Sequence, residues 1–190
     1  MAAVANNLKF EFPELDGNAR LRELILYISQ KCSGDPTFGA TKLNKILFYS
    51  DFFSYYRFGK PISGIEYQRL PNGPAPKQLI PVREKMLSDG DVAIQKTSFF
   101  NKQQHRCIPL RDPNLSNFNG QDIALIDELI QNLWGKTATE VSALSHQRAW
   151  RIAKDKESIP YQAIFLSDDD SLTDADMARV ADLNREHKWE

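Results

Sequence analysis

Apolar residues recur at helical spacing at Leu21, Leu24, Ile25 and Ile28, with Arg20, Arg22, Glu23 and Gln30 among the outward positions. That period predicts an amphipathic helix over Asn18 to Cys32, closed by Ser33-Gly34-Asp35-Pro36. The next segment has a different character. Leu43, Ile46, Leu47, Phe48, Tyr49, Phe52, Phe53, Tyr55 and Tyr56 fill more than one stripe of a helix. It is expected to start after Thr41, a natural cap, and to run to about Arg57, where Phe58-Gly59-Lys60-Pro61 ends it. A helix that is apolar on several faces either lies at the centre of a core or lends one face to a partner.

Beyond it the pattern shortens. Ile62 to Leu70 alternates only partly and reads as a strand or extended loop, and Pro71-Asn72-Gly73-Pro74-Ala75-Pro76 cannot continue either regular structure. A helix is predicted from Lys77 to Ser88, with Pro81 close to its start. Val92 to Phe99 and Arg106 to Leu110 read as a hairpin with a four- or five-residue loop around Asn101-Lys102-Gln103-Gln104. Ile123, Ile126, Ile130 and Leu133 mark another helix, and Thr137-x-x-Glu140 is a capping box that opens a short one through Leu144. Ser158 to Tyr161 is extended, and a final helix is expected after Thr173. The sum is a mostly α, α+β fold: a single compact domain of five or six helices around 41–57, with a small antiparallel β element from residues 91 to 110. Residues 1–17 read as an N-terminal leader, 18–167 as the domain and 168–190 as an acidic C-terminal helix or tail.

Composition narrows the classes. With 42% hydrophobic and 26% charged residues the chain is an ordinary globule, and 190 residues suffice for a real core without staples. The formal charge of −1 argues against a general nucleic-acid coat, which would carry a large basic excess. That balance is uneven: residues 168–190 hold eight acids and three bases, so the tail carries −5 and the remainder +4. Cys32 and Cys107 make neither a disulfide framework nor a four-ligand zinc site, and are expected to be reduced thiols of a cytoplasmic protein. The first seven residues lack the pattern of a secretory signal, and no apolar run is long enough for a bilayer.

Candidate chemistry is sparse. His105 and Cys107 lie two apart in a predicted strand, so they should share a face, and Ser145-His146 are neighbours that a helix turns away from each other. No G-x-S-x-G, cysteine-protease or H-E-x-x-H signature occurs, Pro74 spoils any phosphate loop at Asn72-Gly73, and Asp168-Asp169-Asp170 lacks the spacing of a calcium loop. No catalytic residue, metal or cofactor is expected. Lys42, Lys45, Arg57 and Lys60 lie among aromatics, and Arg69, Lys77, Arg83 and Lys85 follow, which leaves a nucleic-acid-binding regulator as the alternative reading. A third class, a hydrolase using Cys107 or His146, has no signature behind it. What is strongly specified is shape, from Lys42 to Leu79.

That stretch resembles a known family. Lys42-Leu43-Asn44-Lys45-Ile46-Leu47-Phe48-Tyr49-Ser50-Asp51-Phe52 is similar to the K-L-x-K-L-L-Y-x-x-D segment of the Panacea (SocA-like) antitoxin domain. Gly59 to Tyr67 is similar to its G-x-x-I-x-G-x-x-Y element, and Gly73-Pro74-Ala75-Pro76 to its G-P-x-P corner, with Ala75 where valine is common. Leu144-Ser145-His146, Ala149-Trp150 and Ile159-Pro160-Tyr161 resemble its C-terminal half. The resemblance covers about 20–165 and leaves both ends unassigned.

It implies a non-enzymatic antitoxin of a bacterial or phage toxin–antitoxin pair that binds and neutralises a cognate protein toxin. Related members act as proteolytic adaptors that present a toxin to a AAA+ protease. On this reading Lys42, Lys45 and Tyr49 form one polar and aromatic edge, with Tyr67, Arg69, Gly73, Pro74 and Pro76 beside it. The edge is expected to hold the partner or to organise the surface that does.

Overall fold

The computed structural model describes residues 8–99, 102–145, 150–151 and 153–166. Helix α1 (Gly17–Lys31) buries Leu21, Leu24, Ile25 and Ile28, the stripe that the sequence spaces at helical intervals. Helix α2 (Ala40–Phe58) is buried along most of its length and packs against α1, and further elements follow it in the chain. These are the two-residue strands β1 (Tyr67–Gln68) and β2 (Ala75–Pro76), helix α3 (Leu79–Ser88), the hairpin strands β3 (Val92–Phe99) and β4 (Lys102–Pro109), helices α4 (Gly120–Leu133) and α5 (Ala138–Leu144), and strand β5 (Ser158–Ile159). The α+β expectation, dominated by helix, holds among the described residues.

Several boundaries differ from the sequence pattern for physical reasons. Thr41 does not cap α2. Gly39 does, and β4 crosses so closely there that a Cβ would sit 2.8 Å from Gln104 Cγ. Helix α3 begins at Leu79 rather than Lys77, which puts Pro81 in the first turn, where its missing N–H costs nothing. Strand β4 begins four residues earlier than expected, with Phe99 opposite Lys102, so the long polar loop is instead paired strand. Backbone pairing tolerates Gln103 and Gln104 there because only one side of a hairpin needs to be covered. The β element from 91 to 110 is joined by a second sheet of order β2-β1-β5, in which Tyr67 lies between Pro76 and Ile159. Pro76 fits because β2 is an edge strand. The short helix α5 begins as the sequence says, the box at Thr137 and Glu140 closing in both directions, and the structure adds a second box, Asn119 with Asp122, before α4. The helix expected after Thr173 lies outside the described residues.

The residues ahead of α1 are not a free lead-in where they are described. Phe12 is buried, its N–H donates to Gly64 O at 2.8 Å, and Lys9 O accepts from Tyr161 N at 2.8 Å. An aromatic cluster fixes this part of the molecule: Phe52 stacks on Tyr161 at 4.8 Å, Tyr67 meets Phe52 edge-on at 5.6 Å, and Phe12 meets Tyr161 edge-on at 5.3 Å. At the other end Arg106 of β4 donates to Asp35 O and Ser33 O, which satisfies carbonyls beyond the end of α1.

Candidate functional site

A buried ammonium or carboxylate is costly unless it is paired and hydrogen-bonded, so the charged residues inside α2 demand partners. Each finds one on a different loop. Lys42, 1% exposed, donates to Asp35 Oδ2 at 2.7 Å and to Thr37 Oγ1. Asp35 Oδ1 also accepts from the Thr37 N–H and hydroxyl. Burial alone would raise the Asp35 carboxyl, but Lys42 and Thr37 outweigh it and hold it below the usual range. One turn on, Lys45 donates to Pro74 O at 2.9 Å with no carboxylate beside it, and burial lowers its pKa to about 7. Two turns further, Asp51 accepts from Ser63 N at 2.6 Å, from the Ser63 hydroxyl and from Tyr67 OH at 2.8 Å. Its complete burial pushes the carboxyl up against those donors. Ser54 closes the series by donating to Lys60 O at 2.8 Å.

Helix α2 is therefore a spine from which four polar side chains clamp three loops. The clamp at the corner tolerates only glycine: Gly73 has φ +95, and a Cβ there would lie 2.5 Å from both Lys45 Nζ and Ser145 Oγ. Ser145, itself buried, donates to Ser142 O at 2.8 Å, and Ser142 Oγ donates to Asn72 O at 3.2 Å, which ties α5 to the same corner.

Two of the clamped loops and the start of α2 wall an open cleft of about 920 Å³. Thr37, Gly39, Thr41 and Lys42 line one side, Asn72 the base of the corner, Thr137, Thr139 and Ser142 the α5 side, and Gln103, Gln104 and His105 the β4 side.

The structure thus brings Lys45, Gly73 and Pro74 together and sets Tyr67 opposite Pro76 in the small sheet. Lys42 lies within the same helix but serves the loop before it, and is among the residues that line the cleft. Tyr49 is buried between Phe48 and Phe53, with ring centroids 5.4 Å away on each side. Arg69 stands apart from this spine, with its guanidinium 4.3 Å from the centroid of the Trp150 ring. The edge expected of Lys42, Lys45 and Tyr49 is interior in this structure, as is Tyr67 beside it. Asp35, Thr37, Asp51 and Ser145 complete the clamps. Their signal in the sequence is polarity at positions that the surrounding apolar residues should bury, as for Asp51 between Tyr49 and Phe52.

The nucleophile candidates are placed as follows. Cys107 is buried and burial raises its thiol pKa, whereas His105 is exposed on the cleft wall, so the pair is split between core and solvent. His146 lies outside the described residues. Among the described residues no cluster of three or more His, Cys, Asp or Glu side chains could hold a metal, and no helix is long and apolar enough to cross a membrane.

No curated protein and no solved structure matches the chain. One family does: its model, described as antitoxin SocA-like, Panacea domain, matches residues 43–151. That span holds Lys45, Asp51, the Gly59 to Tyr67 loop, the Gly73–Pro76 corner, α5 and Trp150, begins one residue after Lys42 and stops short of β5. It is more than half of the sequence, and the chain belongs to the SocA-like antitoxin family defined by the Panacea domain.

Proposed function

We propose that this chain neutralises a cognate protein toxin by binding it directly, without catalysis, and that the cleft between α2, the Asn72 corner, α5 and β4 is the binding face. The observation that supports this most is how the buried charges of α2 are spent. Lys42 and Lys45 meet loop carbonyl, hydroxyl and carboxylate groups rather than a reactive partner, and the loops they hold wall the cleft. In this reading Lys42, Lys45, Tyr49, Tyr67, Gly73, Pro74 and Pro76 build the surface and do not touch the toxin. A face walled by clamped loops binds with little ordering cost, which suits an inhibitor. Buried, unpaired Cys32 and Cys107 agree with action in the reducing cytosol.

The test is co-expression. The product of each reading frame adjacent to this chain's gene is expressed alone and together with the chain in a bacterial host. A neighbour that is lethal alone, harmless with this chain and recovered with it as a complex establishes the pair. If no neighbour is neutralised, the proposal is lost. The half-life of the neutralised partner separates blocking from delivery: a stable partner means occlusion, whereas loss that depends on a AAA+ protease means an adaptor.

A further inference from the structure

We infer that a cationic platform built on Arg69 and Trp150 takes an acidic segment of the protein partner; this rests on the reading above and names the partner's chemistry. The Arg69 guanidinium lies over the Trp150 ring, 4.3 Å from its centroid, and Trp150 is fixed in turn by its indole N–H, which donates to Leu70 O at 2.9 Å. A guanidinium stacked on an indole has lost much of its freedom before any ligand arrives, so it forms carboxylate bonds at low entropic cost. Arg22, Arg57 and Arg111 each reach a carboxylate. Arg69 reaches none among the described residues, and its Nε is buried without a hydrogen-bond partner.

The surroundings are arranged for the same purpose. Arg69 N donates to Glu157 O and Lys156 N donates to Arg69 O, both at 2.9 Å, so the 154–157 turn is pinned alongside Arg69. Lys156 sits in the left-handed region at φ +61, a conformation that a lysine holds only when its neighbours impose it. Lys154 and Lys156 are exposed and have no ion pair among the described residues. Arg151 is exposed beside them, and Asp155 and Glu157 are the acids of the same turn.

Among the described residues, Arg69, Arg151, Lys154 and Lys156 against Asp155 and Glu157 leave a local balance of +2. That is small for a nucleic-acid backbone, which is gripped by many phosphate contacts, and apt for a few carboxylates. Arginine and tryptophan are also the residues that most often carry protein–protein binding energy. The platform adjoins the cleft through the corner, since Gly73 N donates to the same Leu70 O that anchors Trp150.

The test uses the full chain and the indole N–H resonance of Trp150, assigned by Trp150→Phe. The probe is a polyglutamate peptide of about ten residues, compared with an oligothymidylate of equal charge. The inference predicts a saturable shift of the Trp150 resonance with the peptide, and a dissociation constant raised about five-fold or more by Lys154→Gln with Lys156→Asn, the weight of two exposed ion pairs. No shift, an unchanged constant in the double variant, or tighter binding of the oligonucleotide overturns it. So does a Trp150 resonance that moves when Asp168, Asp169 and Asp170 are changed to asparagine, because the chain's own acidic segment would then be the occupant. Toxin neutralisation by a chain whose Trp150 ignores the peptide overturns this inference alone and leaves the antitoxin reading standing.

Discussion

Replacing Lys42 with methionine separates a structural clamp from a partner contact. The substitution keeps the length and volume of the side chain but removes the ammonium that lies 2.7 Å from Asp35 Oδ2, with both side chains 1% exposed. Breaking a buried pair leaves an uncompensated charge and costs about 3–5 kcal/mol. Asp35 keeps its two bonds from Thr37, so the low end applies, about 3 kcal/mol. Against a domain stability of about 5–15 kcal/mol this is measurable by urea denaturation without complete unfolding.

A second readout comes from pH. In the native chain Asp35 is held below its ordinary value, so its stabilising contribution is present above that value and is lost as pH falls through the folded one. In Lys42→Met burial dominates and the carboxyl rises, so that variant recovers stability on acidification. The gap between the two proteins therefore narrows from pH 7 towards the ordinary range of a carboxyl. Changing Asp35 to leucine in the same chain removes the stranded charge and recovers most of the loss. A Lys42→Met chain within about 1 kcal/mol of the native one at pH 7 would refute the clamp.

Two further outcomes follow from the same spine. Gly73→Ala places a methyl 2.5 Å from Lys45 Nζ at a φ that L-residues avoid, and is expected to cost about 2–4 kcal/mol in a denaturant titration. Lys45, with its folded pKa lowered by burial to about 7 and its unfolded value at 10.5, binds fewer protons folded than unfolded between those limits. Stability should therefore rise with pH across that window, and calorimetric scans of Lys45→Met should lose that rise.

The elements most legible in the sequence were those that depend on local rules. The α1 stripe and the Thr137–Glu140 box need only neighbours three and four residues away. The three-strand sheet was not legible, because β1 pairs with β5 some 90 residues away and each strand is two residues long. The cap of α2 at Gly39, ahead of Thr41, is not legible locally, because what favours a glycine there is the approach of Gln104, a contact between distant segments.

The site was half legible. The order of lysines, glycines and prolines located it, and the surplus of apolar faces on α2 allowed for central burial. A lysine three residues from another reads as a polar rim, however, until Asp35 and Pro74 are seen to meet the two amines inside. Asp51 carried the same kind of signal, a carboxylate among aromatics, and its partners Ser63 and Tyr67 lie in the loop after α2 and at the start of β1, whose path the pattern does not fix.

The central claim is that the clamped cleft receives the toxin, and one pair of variants tests it most directly. Thr139→Arg puts a bulky charge on the exposed α5 wall of the cleft, and Glu84→Arg puts the same residue on exposed α3, which does not line it. Both are measured for melting temperature and for rescue of cells expressing the cognate toxin. The account predicts unchanged melting for both, with rescue lost in Thr139→Arg and kept in Glu84→Arg. Full rescue by Thr139→Arg would contradict it.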